Sequence, residues 1–231
     1  MPNWVYNGLT AQGPHDSVNK LKAQMNQPFT RVHDNWNMET GKREKKLVTY
    51  PNPVFAFWNI VKPTDLEAYD KQPDHTLSIT EQLKFEGNDW YSWNIRNWGT
   101  KWDVAVSSED KHPDTYMEET EDEWTASVFY NFNTAWGVPM PALTLLSSQY
   151  PDLLFTLSYE EETGWGGEAE ILRGVVISDN EYENKCRDCD ETNCLNYCGD
   201  CENDVCSKCG FGNEEAEANK CPTHSKEIAN V

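Results

Sequence analysis

Alternation of apolar and polar residues with a period of two runs through two parts of the chain. Such alternation is typical of strands that bury one face of a sheet. The two segments are 124–132 and 153–159, and residues 4–11 are also predicted to form a strand, closed by Gly13-Pro14. Further apolar runs, the last of them preceded by a glycine-rich tight turn, predict additional strands at 54–60, 102–106 and 168–177.

Apolar spacing of three and four residues predicts helices between these strands. Val18, Leu21 and Met25 share one helical face after a start at 14–17. A second helix is predicted to start at 64–67, and a third to occupy 79–98, where Gly87 interrupts it. Asn88 or Asp89 would cap the second piece of that helix, and Gly99 would end it.

A last helix is predicted between Pro139 and Tyr150, with Leu143 and Leu146 on its apolar side. Two polar stretches lack either periodicity. Residues 26–46 are expected to be a long loop or insertion, and residues 110–123 an acidic turn or hairpin tip.

This order of elements places two strand–helix–strand units around a central hairpin. We therefore predict an α+β fold, a ferredoxin-like split β-α-β antiparallel sheet with helices on one face, over residues 1–178. No internal repeat is present in the sequence.

Composition changes sharply after residue 178. Residues 179–231 contain all eight cysteines of the chain and few large apolar side chains. Such a segment cannot offset its own ordering entropy by burying apolar surface, so metal ligation is the natural substitute. We expect a second, small, cysteine-rich unit at 179–231.

The cysteine spacing in this tail is typical of zinc sites, with three CxxC pairs and one CxxH pair. The predicted ligands are Cys186, Cys189, Cys198, Cys201, Cys206, Cys209, Cys221 and His224. Eight ligands make two tetrahedral sites, which leaves Cys194 over. An iron–sulfur cluster is the alternative, and the paired spacing with a terminal histidine favours zinc.

The spacing does not decide how the ligand pairs combine. One combination joins Cys186 and Cys189 to the 206/209 pair, and the 198/201 pair to the 221/224 pair. A sequential combination is equally allowed. In both, four protein ligands leave no open position for water, so the sites are expected to be structural.

The formal net charge of -20 and the mean hydropathy of -0.78 indicate a water-soluble, strongly acidic protein. So much negative charge disfavours binding to phosphate backbones and is suited to competing for a basic surface. Acidity can also serve solubility alone. With no secretory leader and no membrane-spanning run visible, we expect a location in the cytoplasm, which also favours metal over disulfides for the cysteines.

Tryptophan is concentrated between residues 90 and 102, at Trp90, Trp93, Trp98 and Trp102. These side chains either pack between helix and sheet or form an exposed binding surface; their periodicity favours packing. No catalytic triad, P-loop or dinucleotide-binding glycine motif occurs, so the sequence identifies no catalytic residue.

Several blocks of residues are similar to one known family. They include Met1-Pro2-Asn3-Trp4, the stretch Asn97-Trp98-Gly99-Thr100-Lys101-Trp102, and Tyr150-Pro151-Asp152-Leu153. In these blocks the chain resembles the YubB-like family of plasmid and bacteriophage proteins, whose ferredoxin-like domain is shared with Api-type phage proteins. The resemblance implies a phage or mobile-element origin and brings no catalytic residue; the cysteine-rich tail lies outside the shared domain.

Three functions follow as hypotheses. The favoured one is a non-enzymatic accessory protein that binds a host or viral protein, for example as an acidic counter-defence or host-takeover inhibitor. The second is a zinc-containing protein that binds or processes nucleic acid, with a sheet laid out like those of RNA-binding domains. The third is an enzyme whose active site has no recognisable motif.

Overall fold

The structure is a computed structural model. It describes residues 3–38, 40–73, 76, 78, 80–81, 84–184, 192, 195–198 and 203–206.

The helices of this described part are α1 (His15–Met25), α2 (Leu66–Tyr69), α3 (Trp90–Trp98) and α4 (Met140–Gln149), with a 3-10 helix at Phe57–Asn59. The strands are β1 (Trp4–Gly13), β2 (Phe29–Asn37), β3 (Lys42–Tyr50), β4 (Tyr116–Glu121), β5 (Ala126–Ala135), β6 (Leu154–Glu161), β7 (Gly166–Leu172), β8 (Val175–Tyr182), β9 (Leu195–Cys198) and β10 (Asn203–Cys206).

Six strands form one sheet in the order β4-β5-β1-β6-β7-β8, and every neighbouring pair is antiparallel. β1 lies between β5 and β6, which are joined through α4, while α1 leads from β1 toward β4. This is the split β-α-β arrangement with a central β4–β5 hairpin. The predicted α+β, ferredoxin-like fold is confirmed, and β7 and β8 extend its sheet beyond β6.

The core lies between one face of this sheet and the helices. Leu9, Tyr130 and Leu157 form one cross-strand row of side chains and are fully buried. Val18, Leu21 and Met25 of α1 and Leu143 and Leu146 of α4 cover them. Each such side chain contributes roughly 1.5–3 kcal/mol through burial. For β5 and β6, the alternation in the sequence identified both the strand and its inward face.

An insertion between α1 and β4 contains the β2–β3 hairpin, the 3-10 helix, α2 and α3. The predicted end signals of α3 are confirmed. The Asp89 carboxylate accepts hydrogen bonds from the backbone N–H groups of Tyr91 (3.0 Å) and Ser92 (3.1 Å). Gly99 ends the helix with φ of 83°, a left-handed conformation that glycine adopts without steric cost.

Two predictions for the insertion were wrong. The expected loop at 26–46 forms most of the β2–β3 hairpin. The expected strand at 54–60 is instead a buried turn that leads into the 3-10 helix, because Val54 adopts a positive φ of 60° that no strand tolerates. Its apolar residues Phe55, Ala56 and Phe57 are buried nonetheless.

Three further predictions need correction. Residues 102–106 form no strand. The acidic stretch 110–123 contains edge strand β4 rather than only a turn. The single strand expected at 168–177 is two, because Arg173 and Gly174 both have positive φ, 54° and 76°, and reverse the chain between β7 and β8.

The predicted boundary after residue 178 falls inside β8, which continues to Tyr182. The small β9–β10 hairpin belongs to the predicted tail. The division into two units stays a prediction. No helix among the residues described has the length and apolar character needed to cross a bilayer.

Candidate functional site

The six-stranded sheet has a second face, opposite α1 and α4, which we call the open face. Its side chains belong to the positions that alternate with the core positions. Among them are Tyr6, Gly8, Tyr116, Glu118, Phe129, Asn131, Ser158, Glu160, Glu168, Glu170, Asn180 and Tyr182.

Charge on the open face is of one sign. None of the six strands of this sheet contains a lysine or an arginine. Glu118, Glu168 and Glu170 are exposed, and no basic side chain pairs with them in the part of the chain that the structure describes. Their charge is therefore available to a partner.

Two acidic residues on the helix side of β4 have basic neighbours. Glu119 of β4 forms an ion pair with Lys22 of α1, and Glu121 lies 3.5 Å from a ring nitrogen of His15. Helix α1 thus supplies a lysine and a histidine to one face of β4, while no basic side chain of the described structure pairs with its other face. The presence or absence of basic neighbours therefore distinguishes the two faces of β4.

Aromatic side chains accompany these carboxylates. Tyr6 is 49% exposed and Tyr116 is 46% exposed, and the ring of Tyr116 lies 6.4 Å from that of Phe129. Gly8 leaves room for Phe129 and Ser158, since a Cβ at residue 8 would approach both to about 3 Å. The open face therefore offers flat apolar contact area next to negative charge.

A shallow hollow of about 640 Å³ occupies the middle of the open face, and Thr192 contributes to its rim. At its border the Tyr182 hydroxyl donates to Glu160 over 3.3 Å. Burial raises the pKa of Tyr182 to about 12, and the Glu160 charge adds to the effect. Tyr182 is therefore a neutral hydrogen-bonding group at physiological pH.

Most of the predicted zinc ligands lie outside the described residues. Cys186, Cys189, Cys201, Cys209, Cys221 and His224 are among these, as is the leftover Cys194. Within the described ranges, no group of three or more His, Cys, Asp or Glu side chains is arranged to hold a metal ion.

Two of the predicted ligands fall on the β9–β10 hairpin. The register sets Cys198 opposite Asn203 and Cys206 opposite Leu195, so the two cysteines stand at opposite ends of the ladder. Three residues of a strand span about 10 Å. Both ligand combinations considered above assign Cys198 and Cys206 to different ions, and the register is compatible with either.

The tryptophan block is packed in its middle and accessible at its ends. Trp98 is fully buried, and Trp93 packs against the core at its edge. Trp102 is 40% exposed and Trp90 is half-buried. Packing thus holds for the middle of the block, whereas its two ends remain accessible.

Sequence reasoning did not identify the open face. Glu118 was assigned to an acidic tip, and the overall charge was not assigned to any surface. A signal was present, because Glu168 and Glu170 alternate with Ala169 and Ile171. Another was the lack of lysine and arginine from the predicted strands 4–11, 124–132 and 153–159.

Comparison with known proteins bears on the fold. Residues 101–199 match the model of a family described as the ferredoxin-like domain in Api92-like protein. A crystal structure of a protein Api92 from Yersinia pseudotuberculosis matches with 9% identity and a TM-score of 0.41, covering 79% of this chain and 98% of that chain. A search of curated proteins gives no match. The segment that runs from before β4 to the β9 strand is thus similar to the ferredoxin-like domain of Api92-like proteins, which agrees with the Api-type part of the predicted resemblance.

Proposed function

We propose that this protein is a non-enzymatic accessory protein, of the kind carried by phages and mobile elements, that binds a basic surface of a host or viral protein. The open face is the proposed contact surface. The observation that carries the proposal is that this face presents Glu118, Glu168 and Glu170 without any described basic neighbour. Charge of one sign on a rigid sheet attracts a surface of the opposite sign and speeds association with it.

The same observation argues for a protein partner over nucleic acid. RNA-binding domains with a related sheet use aromatic side chains on the open face, and their affinity also depends on cations that neutralise phosphate. Here the aromatic residues are present, but the six strands supply no lysine or arginine. A surface of this kind is suited to compete for a site that normally holds nucleic acid.

Partner capture with matched variants tests the proposal. The tagged protein is compared with a face variant, Glu118→Gln/Glu168→Gln/Glu170→Gln, in cell lysate treated with nuclease. A control variant, Glu67→Gln/Glu86→Gln/Glu123→Gln, has the same net charge but changes exposed residues outside the sheet strands. We expect a basic partner that the wild type and the control retain, that the face variant loses, and that elutes at moderate salt because exposed charges are screened.

Retention of the same partner by the face variant would refute the open face as its contact surface. Equal loss from the face and control variants would show that only net charge matters. Recovery of nucleic acid from untreated lysate, lost with nuclease, would favour the second hypothesis.

We also propose that the cysteine-rich tail folds around two structural zinc ions through Cys186, Cys189, Cys198, Cys201, Cys206, Cys209, Cys221 and His224. The support is the paired ligand spacing. Elemental analysis of the purified protein is expected to give about two zinc per chain, and Cys198→Ser/Cys201→Ser to lower that content. A Cys194→Ser variant with unchanged zinc content is the matched control. A protein without metal whose tail stays protected from proteolysis would contradict this account.

A further inference from the structure

A cleft of about 370 Å³ lies between the β2–β3 hairpin, α2, the start of α3 and residues 102–103. We call it the hairpin cleft. Its volume falls in the range of small-molecule sites, roughly 300–1,000 Å³. It is lined by different residues from the open face, so what it binds is independent of the function proposed above.

Arg31 of β2 is held in place on one wall of the cleft. Its guanidinium lies 4.2 Å from the ring centre of Trp58 and 5.1 Å from that of Tyr69. One of its nitrogens donates to the Tyr69 hydroxyl over 2.8 Å. Stacking on aromatic faces fixes the plane of a guanidinium, and the N–H groups at its edge stay able to bind a ligand in that plane.

A chain of hydrogen bonds fixes the partner of Arg31 in turn. The Tyr69 hydroxyl donates to the side-chain oxygen of Asn94 over 2.9 Å, and the Asn94 amide donates to the Lys101 carbonyl over 2.8 Å. Each group in this chain has a defined direction of donation. Arg31 is therefore pre-organised by α2 and α3 rather than by a counter-ion.

Most donors of Arg31 remain available. A guanidinium has five N–H groups, and one bond is accounted for. No carboxylate of the described chain lies within ion-pair distance of it. The nearby carboxylate of Asp103 is engaged elsewhere, since it accepts from the backbone N–H groups of Phe57 (2.9 Å), Trp58 (3.0 Å) and Val104 (2.8 Å).

Other cations line the same cleft in a chain of net charge -20. Lys45 has no ion-pair partner among the residues that the structure describes. Arg43 lies 3.8 Å from Asp34, and Gln72 donates to the same carboxylate over 3.2 Å, so Arg43 is partly neutralised. Arg31 is therefore the group best placed to receive an anion. Lys45 lies opposite Asp34 in the ladder, so it belongs to the other face of the hairpin and adds a second cation at the border of the cleft.

Aromatic rings form further parts of the wall. Trp90 and Trp102, the accessible ends of the tryptophan block, both line the cleft, and Tyr50 lies beside His33. Accessible ring faces next to a cation suit a ligand that is planar at one end and anionic at the other. The Asp70 carboxylate and the Gln72 amide, also on the wall, offer an acceptor and a donor to the edge of such a ring.

From the juxtaposition of Arg31, Lys45 and the accessible rings of Trp90 and Trp102, we propose that the hairpin cleft binds a nucleotide. The phosphate contacts Arg31, Lys45 attracts it from the border of the cleft, and the base stacks on the aromatic wall. The nucleotide is either a free mononucleotide or the 5′-phosphorylated end of a single strand, since both present the same chemistry.

Isothermal titration calorimetry of the full chain tests this with the four ribonucleoside 5′-monophosphates, the four nucleosides, inorganic phosphate and a 5′-phosphorylated trinucleotide. We expect at least one monophosphate to bind about 10-fold or more tighter than its nucleoside or phosphate alone, because both ends of the ligand contribute. Tighter binding of the trinucleotide would identify a strand end as the source, and equal or weaker binding a free mononucleotide.

Variants separate the site from the fold. Arg31→Gln is expected to weaken binding by about 10- to 100-fold, since it removes a charge-assisted hydrogen bond. Lys45→Gln changes an exposed residue and is expected to weaken binding by about 3-fold, since it removes only the attraction of a nearby charge. Lys42→Gln, on the same hairpin but outside the cleft, is the matched control and should bind as the wild type does. If Arg31→Gln unfolds the hairpin in thermal melts, Lys45→Gln and Trp102→Leu carry the test.

Absence of binding by every nucleotide would overturn the proposal. So would inorganic phosphate binding as tightly as the monophosphates, because the ring would then have no role. Unchanged affinity in both Lys45→Gln and Trp102→Leu would place any binding outside the hairpin cleft.

Discussion

The open face and the hairpin cleft hold their charged side chains in opposite ways. On the open face, Glu118, Glu168 and Glu170 project from strands that carry no basic residue, and no described cation pairs with them. In the cleft, Arg31 is fixed by aromatic rings and by Tyr69, and the acid Asp103 is fixed by backbone N–H groups. The comparison shows that a net charge of -20 is not spread evenly, because the strands of the open face have no basic side chain while the cleft wall has three arginine or lysine residues beside three aspartates.

This difference has an energetic consequence. Charges on the open face contribute little to stability, because they remain hydrated and make no ion pair in the described structure. The polar groups of the cleft hold the insertion together, because each of them satisfies another group that is at least partly removed from water. We therefore expect acidic residues of the cleft to affect the stability of the fold, and acidic residues of the open face to affect binding.

The largest expected effect is a difference in the free energy of unfolding between a variant of an acidic residue in the cleft and one on the open face. Asp103→Ala leaves three backbone N–H groups without their acceptor and should lower the free energy of unfolding by about 3 kcal/mol. Glu168→Ala on the open face should change it by no more than about 0.5 kcal/mol. Urea unfolding of both variants measures the difference, and similar losses in the two would contradict the regional distinction.

A smaller effect should depend on pH. Burial and the charge of Arg31 lower the pKa of His33 from 6.5, whereas Glu109 opposes them. Below pH 6.5 the unfolded chain therefore binds this proton more readily than the folded chain, so stability should fall as pH decreases from 7.5 to about 5.5. The decrease levels off once the pH is below the folded-state pKa.

His33→Gln should flatten this part of the stability profile, and the exposed His112→Gln should leave it unchanged. Tyr50 contacts His33 over 2.9 Å. Its pKa is raised to about 12, mainly by burial, so Tyr50 does not titrate in this range. A profile with the same slope in His33→Gln would show that His33 is not the group responsible.

The smallest effect concerns the open face alone. Glu118→Gln/Glu168→Gln/Glu170→Gln should change the free energy of unfolding by only a few tenths of a kcal/mol, with a gain at low salt from reduced repulsion between like charges. Thermal unfolding at low and high salt measures it. A clear loss of stability would mean that these carboxylates have structural partners.

Periodicity predicted the elements that pack against the main core. α1, α4, β1, β5 and β6 each bury alternate or helically spaced apolar residues, so local sequence and tertiary packing agree for them. The caps of α3 could also be predicted, because Asp89 and Gly99 interact with residues close to them in the sequence. The fold class followed from these elements and their order.

The structure of the insertion could not be predicted from local sequence patterns, for a physical reason. Of the nine residues of β3, only Val48 and Tyr50 are buried, so no alternation marks that strand. Asp103 acts on Phe57, 46 residues away, and Arg31 on Tyr69, 38 residues away. Such contacts form only in the assembled fold, so local sequence patterns do not predict them.

The candidate site was predictable only in part. Total charge gave the chemistry of the proposed partner but not the face that meets it. The basic neighbours that distinguish Glu119 and Glu121 from Glu118 come from α1, which is far from β4 in the sequence. The zinc ligands remain a prediction from spacing, with Cys198 and Cys206 at opposite ends of the β9–β10 ladder.

Chemical-shift mapping by NMR tests the open face as a contact surface most directly. A lysine- and arginine-rich peptide is titrated into the ¹⁵N-labelled protein at low salt, and the perturbed amides are assigned. The account predicts perturbations concentrated at Tyr6, Gly8, Ser158, Glu168 and Asn180, which disappear in Glu118→Gln/Glu168→Gln/Glu170→Gln. Perturbations confined to the α1 and α4 side of the sheet, or unchanged in that variant, would contradict it.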